Sequence, residues 1–421
     1  MHEPHRQRKR LIRKLSFAAT WLLCLCLLLN ACAQQASMAP QTTATPQVPA
    51  GPVPTPIVLD DAMLIQRMVQ HMSLEQKLGQ MVIVEFNGLT LDDTLRQMLQ
   101  KYNVSGVLIE NKNGNAQTRE QLTALNKAMQ QAAPFPLFIT TDYEGGVVNE
   151  LRRITGERPS EATIGASGDP QKAYQAGSSA ARDLSGLGLN VNFMPTVDVL
   201  TNPNNPGLPQ RTFGSSATLV TNMGRAYLKG LNEGGVVGCL KHFPGLGSAN
   251  LDPHRSLPYM DRSLETLNQV DLVPYRTMIG EGVVPMVMVT HILNPQLDPQ
   301  LPTSLSPNVV TNILRKQLNF QGVIISDTLW MGGVSNTYDL SHAAVLAVKA
   351  GTDLLLGPRG LTETATMLEG LAQAVHSGTI TTQQIDASVT RILALKLRYN
   401  IISHEQALLL AGVLEPGEQQ K

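Results

Sequence analysis

GVVGCLKHFPGLGSANLDPHRSLP, residues 235–258, is the stretch on which the reading of this chain turns. Its first six residues, Gly235 to Leu240, form a short apolar run of the kind found in strands buried on both faces of a sheet. The remainder sets Lys241, His242, Asp252, His254 and Arg255 among glycines and prolines, which hold unusual backbone angles and let a loop fix its side chains in place. A buried strand that ends in a reactive loop points to a parallel α/β fold with chemistry at one rim. Asp252 and His254 flank Pro253, which biases the residue before it towards extended backbone, so the two side chains can share one side of the loop. A carboxylate on one ring nitrogen would fix the tautomer and raise the basicity of the other, making a tuned proton donor and acceptor. Asp-x-His is common, and a loop of solvated charges fits the same letters.

Working outward, the same apolar signature recurs. Strands are expected at 80–86, 105–110, 136–141, 190–194, 236–240, 285–290, 322–326 and 353–356, with helical spacing at 118–131, 171–184, 217–233, 264–281, 307–318 and 340–350. Eight β-then-α units predict a single (β/α)8 TIM-type barrel over residues 58–400, with a doubly wound open sheet as the competing architecture. Ser73-Leu-Glu-Gln76 reads as a capping box ahead of the first strand. Ile385, Val389 and Ile392 keep helical spacing after Thr381-Thr382, which predicts a last helix against the barrel. Residues 401–421 are expected to form a C-terminal tail.

The barrel makes a testable demand, because sites in this fold gather where strands end. Strand three runs into Asp142, strand four leads to Asp198 and then Arg211, strand five into Lys241 and His242, strand six into His291, and strand seven into Asp327. Five consecutive strands thus bring ionisable groups to one rim.

The chain has 421 residues, 43% of them hydrophobic and 16% charged, enough for a substantial core. Six basic side chains and one acidic side chain fall in the first 31 residues, and the remainder is mildly acidic, so no nucleic-acid footprint is present. Arg6, Arg8, Lys9, Arg10, Arg13 and Lys14 precede an apolar run from Phe17 to Leu29 that ends in Leu29-Asn30-Ala31-Cys32. Residues 1–31 therefore read as an export signal, and the ending resembles a bacterial lipobox in which Cys32 carries a lipid anchor. An uncleaved N-terminal anchor would leave the chain on the same side of the membrane. Residues 32–57, rich in Pro, Thr, Ala and Gln, read as a flexible spacer. The one cysteine beyond this region, Cys239, lies in an apolar strand and is expected to be a core residue.

TDYEGG (141–146), NFMPTVDV (192–199) leading to QRTFG (210–214), KHFPGLGSANLDPHRSLP (241–258), VTHI (289–292) and VIISDTLWMGG (323–333) fall in an order and spacing that resemble family-3 glycoside hydrolases. The resemblance is to the single-domain bacterial β-N-acetylglucosaminidase branch, and it covers roughly residues 60–400. It implies a (β/α)8 barrel and a retaining mechanism, with Asp327 as nucleophile. It implies His254, supported by Asp252, as the acid and base, where multi-domain members take a Glu from a C-terminal domain that this sequence is not expected to supply. It also implies that Asp142, Arg211 and Lys241 bind the sugar, with His242 and His291 either touching it or supporting the residues that do, and it leaves Glu144 with a structural part. The sequence departs from the family pattern at Leu246 and Ser248, where PGHGD is usual, at Thr328, where a second acid is usual, and at Val147, where Arg is common.

The expected substrate is a GlcNAc-containing cell-wall or chitin-like glycan, cleaved by a monomer without cofactor or metal. A β-glucosidase specificity, a phosphorylase, and a non-catalytic lipoprotein that binds cell-wall fragments are the alternatives.

Overall fold

The computed structural model describes residues 60–415, so the expected signal segment, Cys32 and the spacer lie outside the described residues. Local signals set where the chain becomes regular. Ser73 and Gln76 cap the helix Leu74–Gly79 reciprocally, Ser73 N–H donating to Gln76 Oε1 at 2.9 Å and Gln76 N–H to Ser73 Oγ at 3.3 Å. The chain then enters the first strand, β1 (Val82–Glu85), which is wholly buried.

Seven further strands follow: β2 (Gly106–Ile109), β3 (Phe138–Thr141), β4 (Val191–Asn192), β5 (Val237–Phe243), β6 (Met286–Val289), β7 (Val323–Ser326) and β8 (Leu355–Arg359). Each of the eight regions expected from sequence overlaps one, with β5 and β8 running three residues further than expected. They pair in parallel in the order β8-β1-β2-β3-β4-β5-β6-β7. Ile325 bridges Leu354, and Ser326 N–H donates to Leu354 O at 2.9 Å, which brings the two ends of the sheet together. The result is a TIM-type barrel rather than an open sheet. A closed parallel sheet ringed by helices buries both strand faces, which is why burial runs along the strands without alternating and their apolar residues are nearly continuous up to the C-terminal ends. Cys239 of β5 is a free thiol in this core.

Three details differ from the sequence expectation. The helix expected over 264–281 is two, Leu264–Gln269 and Val273–Gly280, because Pro274 cannot donate within a helix and instead sits in the first turn of a new one. Asn308–Gln317 is wound as a π-helix. The segment expected as a tail carries a further helix, His404–Leu410, closed by a Ser403–Gln406 capping box and burying Ala407 and Leu408.

The floor of the barrel is stopped by a lysine. Lys396, on the helix Thr382–Arg398, is fully buried and donates to Gln80 Oε1 at 2.9 Å, Ser105 O at 3.0 Å and Pro136 O at 2.7 Å. Three acceptors match the three ammonium protons. The opposite end, where strands finish and loops begin, is left for function.

Candidate active site

At the C-terminal end of β3 the chain places Asp142, then turns back through a small hairpin, Tyr143–Gly145 with Val148–Asn149, that carries Glu144. Glu144 is buried and accepts two parallel bonds from Arg211, from Nε and a terminal nitrogen, each 2.8 Å long. Its Oε1 also lies 2.6 Å from Lys241 Nζ, whose other carboxylate partner is Asp142 Oδ1, again at 2.6 Å. Burial works against a charge on Glu144, but Arg211 and Lys241 outweigh it and hold the carboxyl at about 2. Reciprocally, burial disfavours both cations, yet the carboxylates facing them raise each pKa, so Glu144, Arg211 and Lys241 of this cluster all carry charge. Asp142, half-buried at 26% side-chain exposure, is the member that reaches solvent.

His242 sits beside this cluster and is oriented by Asp198, whose Oδ2 lies 2.7 Å from Nδ1. Asp198 also accepts from the Leu246 N–H at 2.6 Å, so the residue standing where the family usually has histidine serves through its backbone. His291 has surroundings that fit the supporting one of its two expected parts. It is fully buried, with Nδ1 2.7 Å from Ser304 Oγ and Nε2 3.1 Å from Thr328 O. A carbonyl can only accept, so Nε2 carries the proton. Burial lowers the pKa of the ring, which supports the loop after β7 from behind, outside the cavity wall.

Asp327 follows the last residue of β7. Its Oδ1 accepts the Thr328 N–H at 2.8 Å, and its Oδ2 accepts Thr290 Oγ1 at 3.3 Å. Burial opposes its charge, while neighbouring imidazoles and the Thr328 N–H offset this and keep the carboxyl below the ordinary range. On the loop after β5, His254 Nδ1 lies 2.7 Å from Asp252 Oδ1, which also accepts the His254 N–H at 3.0 Å. Although Asp252 loses some hydration, its bonds to His254 lower its pKa, so it is the acceptor and Nδ1 the donor. Nε2 is then the ring nitrogen left without a protein partner, on a side chain that is 54% exposed.

Asp142, Arg211, Lys241, His242, His254 and Asp327 line one cavity of about 320 Å³. Asp252 lies behind His254 and borders a narrower recess that it shares with Arg211, His242 and Asp327. A cleft of about 410 Å³ opens at the other end of the barrel, around Phe320, Arg391 and Arg398. It is larger but contains no carboxylate, and it lies where strands begin, so the chemistry belongs to the smaller cavity.

Four side chains of this rim escaped the sequence reading. Trp330 Nε1 donates to Glu85 Oε1 at the end of β1. Glu110, just past β2, is pushed up to about 8 by burial and by Glu85, against the pull of Lys112, 2.9 Å away. Lys112 in turn lies 4.5 Å from the Trp330 ring centroid. A signal existed: Glu85 and Glu110 end the first two apolar runs, and Trp330 lies inside the strand-seven motif. Extending the search for ionisable groups to every strand end would have found both acids.

The fold and rim define a (β/α)8 barrel with a carboxylate, a carboxylate-bound imidazole and a cation cluster converging on one C-terminal cavity. Residues 73–395 match the glycosyl hydrolase family 3 N terminal domain, and the chain belongs to glycosyl hydrolase family 3. The β-hexosaminidase A of Pseudoalteromonas piscicida is 34% identical over 334 residues, 73% of this chain and 56% of that protein. The β-hexosaminidase LpqI of Mycobacterium tuberculosis is 31% identical over 380 residues, 88% of this chain and 94% of the relative. Among solved structures, a family 3 β-N-acetylglucosaminidase from Paenibacillus sp. FPU-7 superimposes with a TM-score of 0.75 at 35% identity, over 81% of this chain and 68% of that one. This chain thus spans little more than half the length of one such relative and nearly all of another.

Proposed function

We propose that this chain is a retaining β-N-acetylglucosaminidase that removes terminal GlcNAc from cell-wall or chitin-like glycans. The observation that carries this reading is the convergence of ionised Asp327 and the Asp252-held His254 on one cavity. Similarity to proteins named β-hexosaminidase and β-N-acetylglucosaminidase supports the choice of sugar.

In the first step a carboxylate oxygen of Asp327 bonds to the anomeric carbon while the bond to the leaving oxygen breaks, and that oxygen takes a proton from His254 Nε2. In the second step His254 Nε2 accepts a proton from water, the water oxygen bonds to the anomeric carbon, and Asp327 leaves as carboxylate. Asp252 holds the Nδ1 proton throughout, so the ring donates from Nε2 as imidazolium in the first step, is left neutral, and regains that proton from water in the second. Asp142, Arg211, Lys241 and His242 hold the sugar hydroxyls, with charge-assisted hydrogen bonds suited to vicinal diols. Export under the N-terminal signal and a lipid on Cys32 would place the enzyme at its polymeric substrate.

The test is release of nitrophenol from the GlcNAc β-glycoside, with the first-formed sugar followed by NMR. Retention of the β anomer supports the reading. Preference for the glucoside, sugar 1-phosphate as product in phosphate buffer, or no release at all would each replace it.

A further inference from the structure

Two glycines in the loop after β7 grip the loop that carries the acid and base. Gly332 N–H donates to His254 O at 3.1 Å and Gly333 N–H to Pro253 O at 3.0 Å, while Asn336 Nδ2 reaches Arg255 O at 3.3 Å. Three successive carbonyls of one loop are thus held by donors of the other. The approach is close enough to require glycine: a Cβ on Gly332 would stand 2.4 Å from Arg255 O. Gly332 does not occupy the left-handed region, so the need comes from that contact and not from its own backbone angles.

The gripping loop is itself anchored on its far side. Trp330 Nε1 donates to Glu85 of β1, and Leu329 N–H donates to Leu356 O of β8 at 3.0 Å. Asp327 lies at the start of this same loop. His254, by contrast, is exposed and has one side-chain partner, Asp252, from its own loop.

We propose that Gly332, Gly333 and Asn336 are positioning residues that set the location of His254 relative to Asp327, with Trp330 and Glu85 as the anchor of the clamp. This rests on the assignment of Asp327 and His254 made above. One loop would then control both halves of the mechanism, and the spacing between them would follow from backbone contacts and not from a direct bond between the two side chains.

The test is Gly332→Ala in the full chain, read in two ways. Hydrogen exchange over residues 250–258 reports the clamp without any reference to activity. The ratio of turnover on a GlcNAc disaccharide to turnover on the nitrophenyl glycoside reports protonation of the leaving group. The folded variant is expected to exchange faster over 250–258 and to lose at least about 10-fold in that ratio, a modest part of what acid catalysis contributes. Asn336→Ala, at an exposed position, is expected to shift both readouts in the same direction by about 2-fold, the scale of a single weak hydrogen bond. It decides the matter if Gly332→Ala does not fold. Wild-type exchange over 250–258, or faster exchange with an unchanged turnover ratio, would overturn the clamp. A wild-type chain with no activity on any glycoside removes the assignment of function, and the exchange result then stands alone on whether the loops are coupled.

Discussion

Glu144 and Arg211 meet as a bidentate pair, both bonds 2.8 Å long, in surroundings that leave 1% of the Glu144 side chain exposed. The pair brings together the hairpin after β3 and the long connection after β4, and through Lys241 it reaches β5. Glu144 therefore acts as the counter-charge for both cations assigned to the sugar. Glu144→Gln leaves Lys241 with Asp142 as its carboxylate partner and takes from Arg211 the carboxylate it is paired with. The expected cost is about 3–5 kcal/mol, that of breaking a buried pair from one side. The sign with pH follows from a folded-state pKa of about 2 against an ordinary 4.5. Stability from Glu144 is complete above about pH 4.5 and is lost as pH falls towards 2. Urea unfolding at a series of pH values should show the gap between wild type and Glu144→Gln narrowing through that window. A gap constant from pH 7 to pH 3 would contradict this account.

The dyad predicts a selectivity. His254→Ala should slow substrates with poor leaving groups by about 10²- to 10⁴-fold and activated aryl glycosides much less, because the latter depart with little protonation. Asp252→Asn should do the same more mildly, since the ring remains but loses its orienting charge. Kinetics on a disaccharide beside a nitrophenyl glycoside make the comparison. Equal slowing of both would assign His254 to binding, and the acid would have to be sought elsewhere on the rim. Glu110, held up to about 8, would be the first candidate.

Asp327→Asn should reduce turnover by roughly 10³-fold or more on every glycoside, because no other group forms the bond to the anomeric carbon. The fold should persist. Asn retains an oxygen for the Thr328 N–H, and the Thr290 hydroxyl, which donates to the second carboxylate oxygen, can rotate to accept from the amide nitrogen instead. Thermal unfolding alongside initial rates separates the two effects, and near-normal turnover in a well-folded variant removes Asp327 from the mechanism.

For the anchor, Cys32→Ala should release the mature chain from membranes or block its processing. Fractionation and mass spectrometry of the N-terminus provide the measurement. An unmodified Cys32 with unchanged membrane partition would argue against a lipobox.

The architecture was legible in short-range pattern. Eight apolar runs became eight strands, Ser73 and Thr381 opened helices with the capping boxes their neighbours permit, and Asp327 and Lys241 stand at strand ends where the fold concentrates chemistry. Asp252 and His254 were also readable as a pair, because two residues separated by one proline share a local geometry that needs little else. Other relationships depended on the closed barrel. Glu144 and Arg211 are 67 residues apart, and Glu85 and Trp330 are 245 apart. Nothing in either local sequence distinguishes a counter-ion from a solvated charge, or an anchoring indole from a core one. The same holds for His291, which sits at a strand end like the other site residues but turns both ring nitrogens into protein. Periodicity and turn chemistry act over a few residues and determine which elements form. Which buried charge finds which partner is decided when β8 closes against β1 and the loops of distant strands must satisfy one another's polar groups away from water.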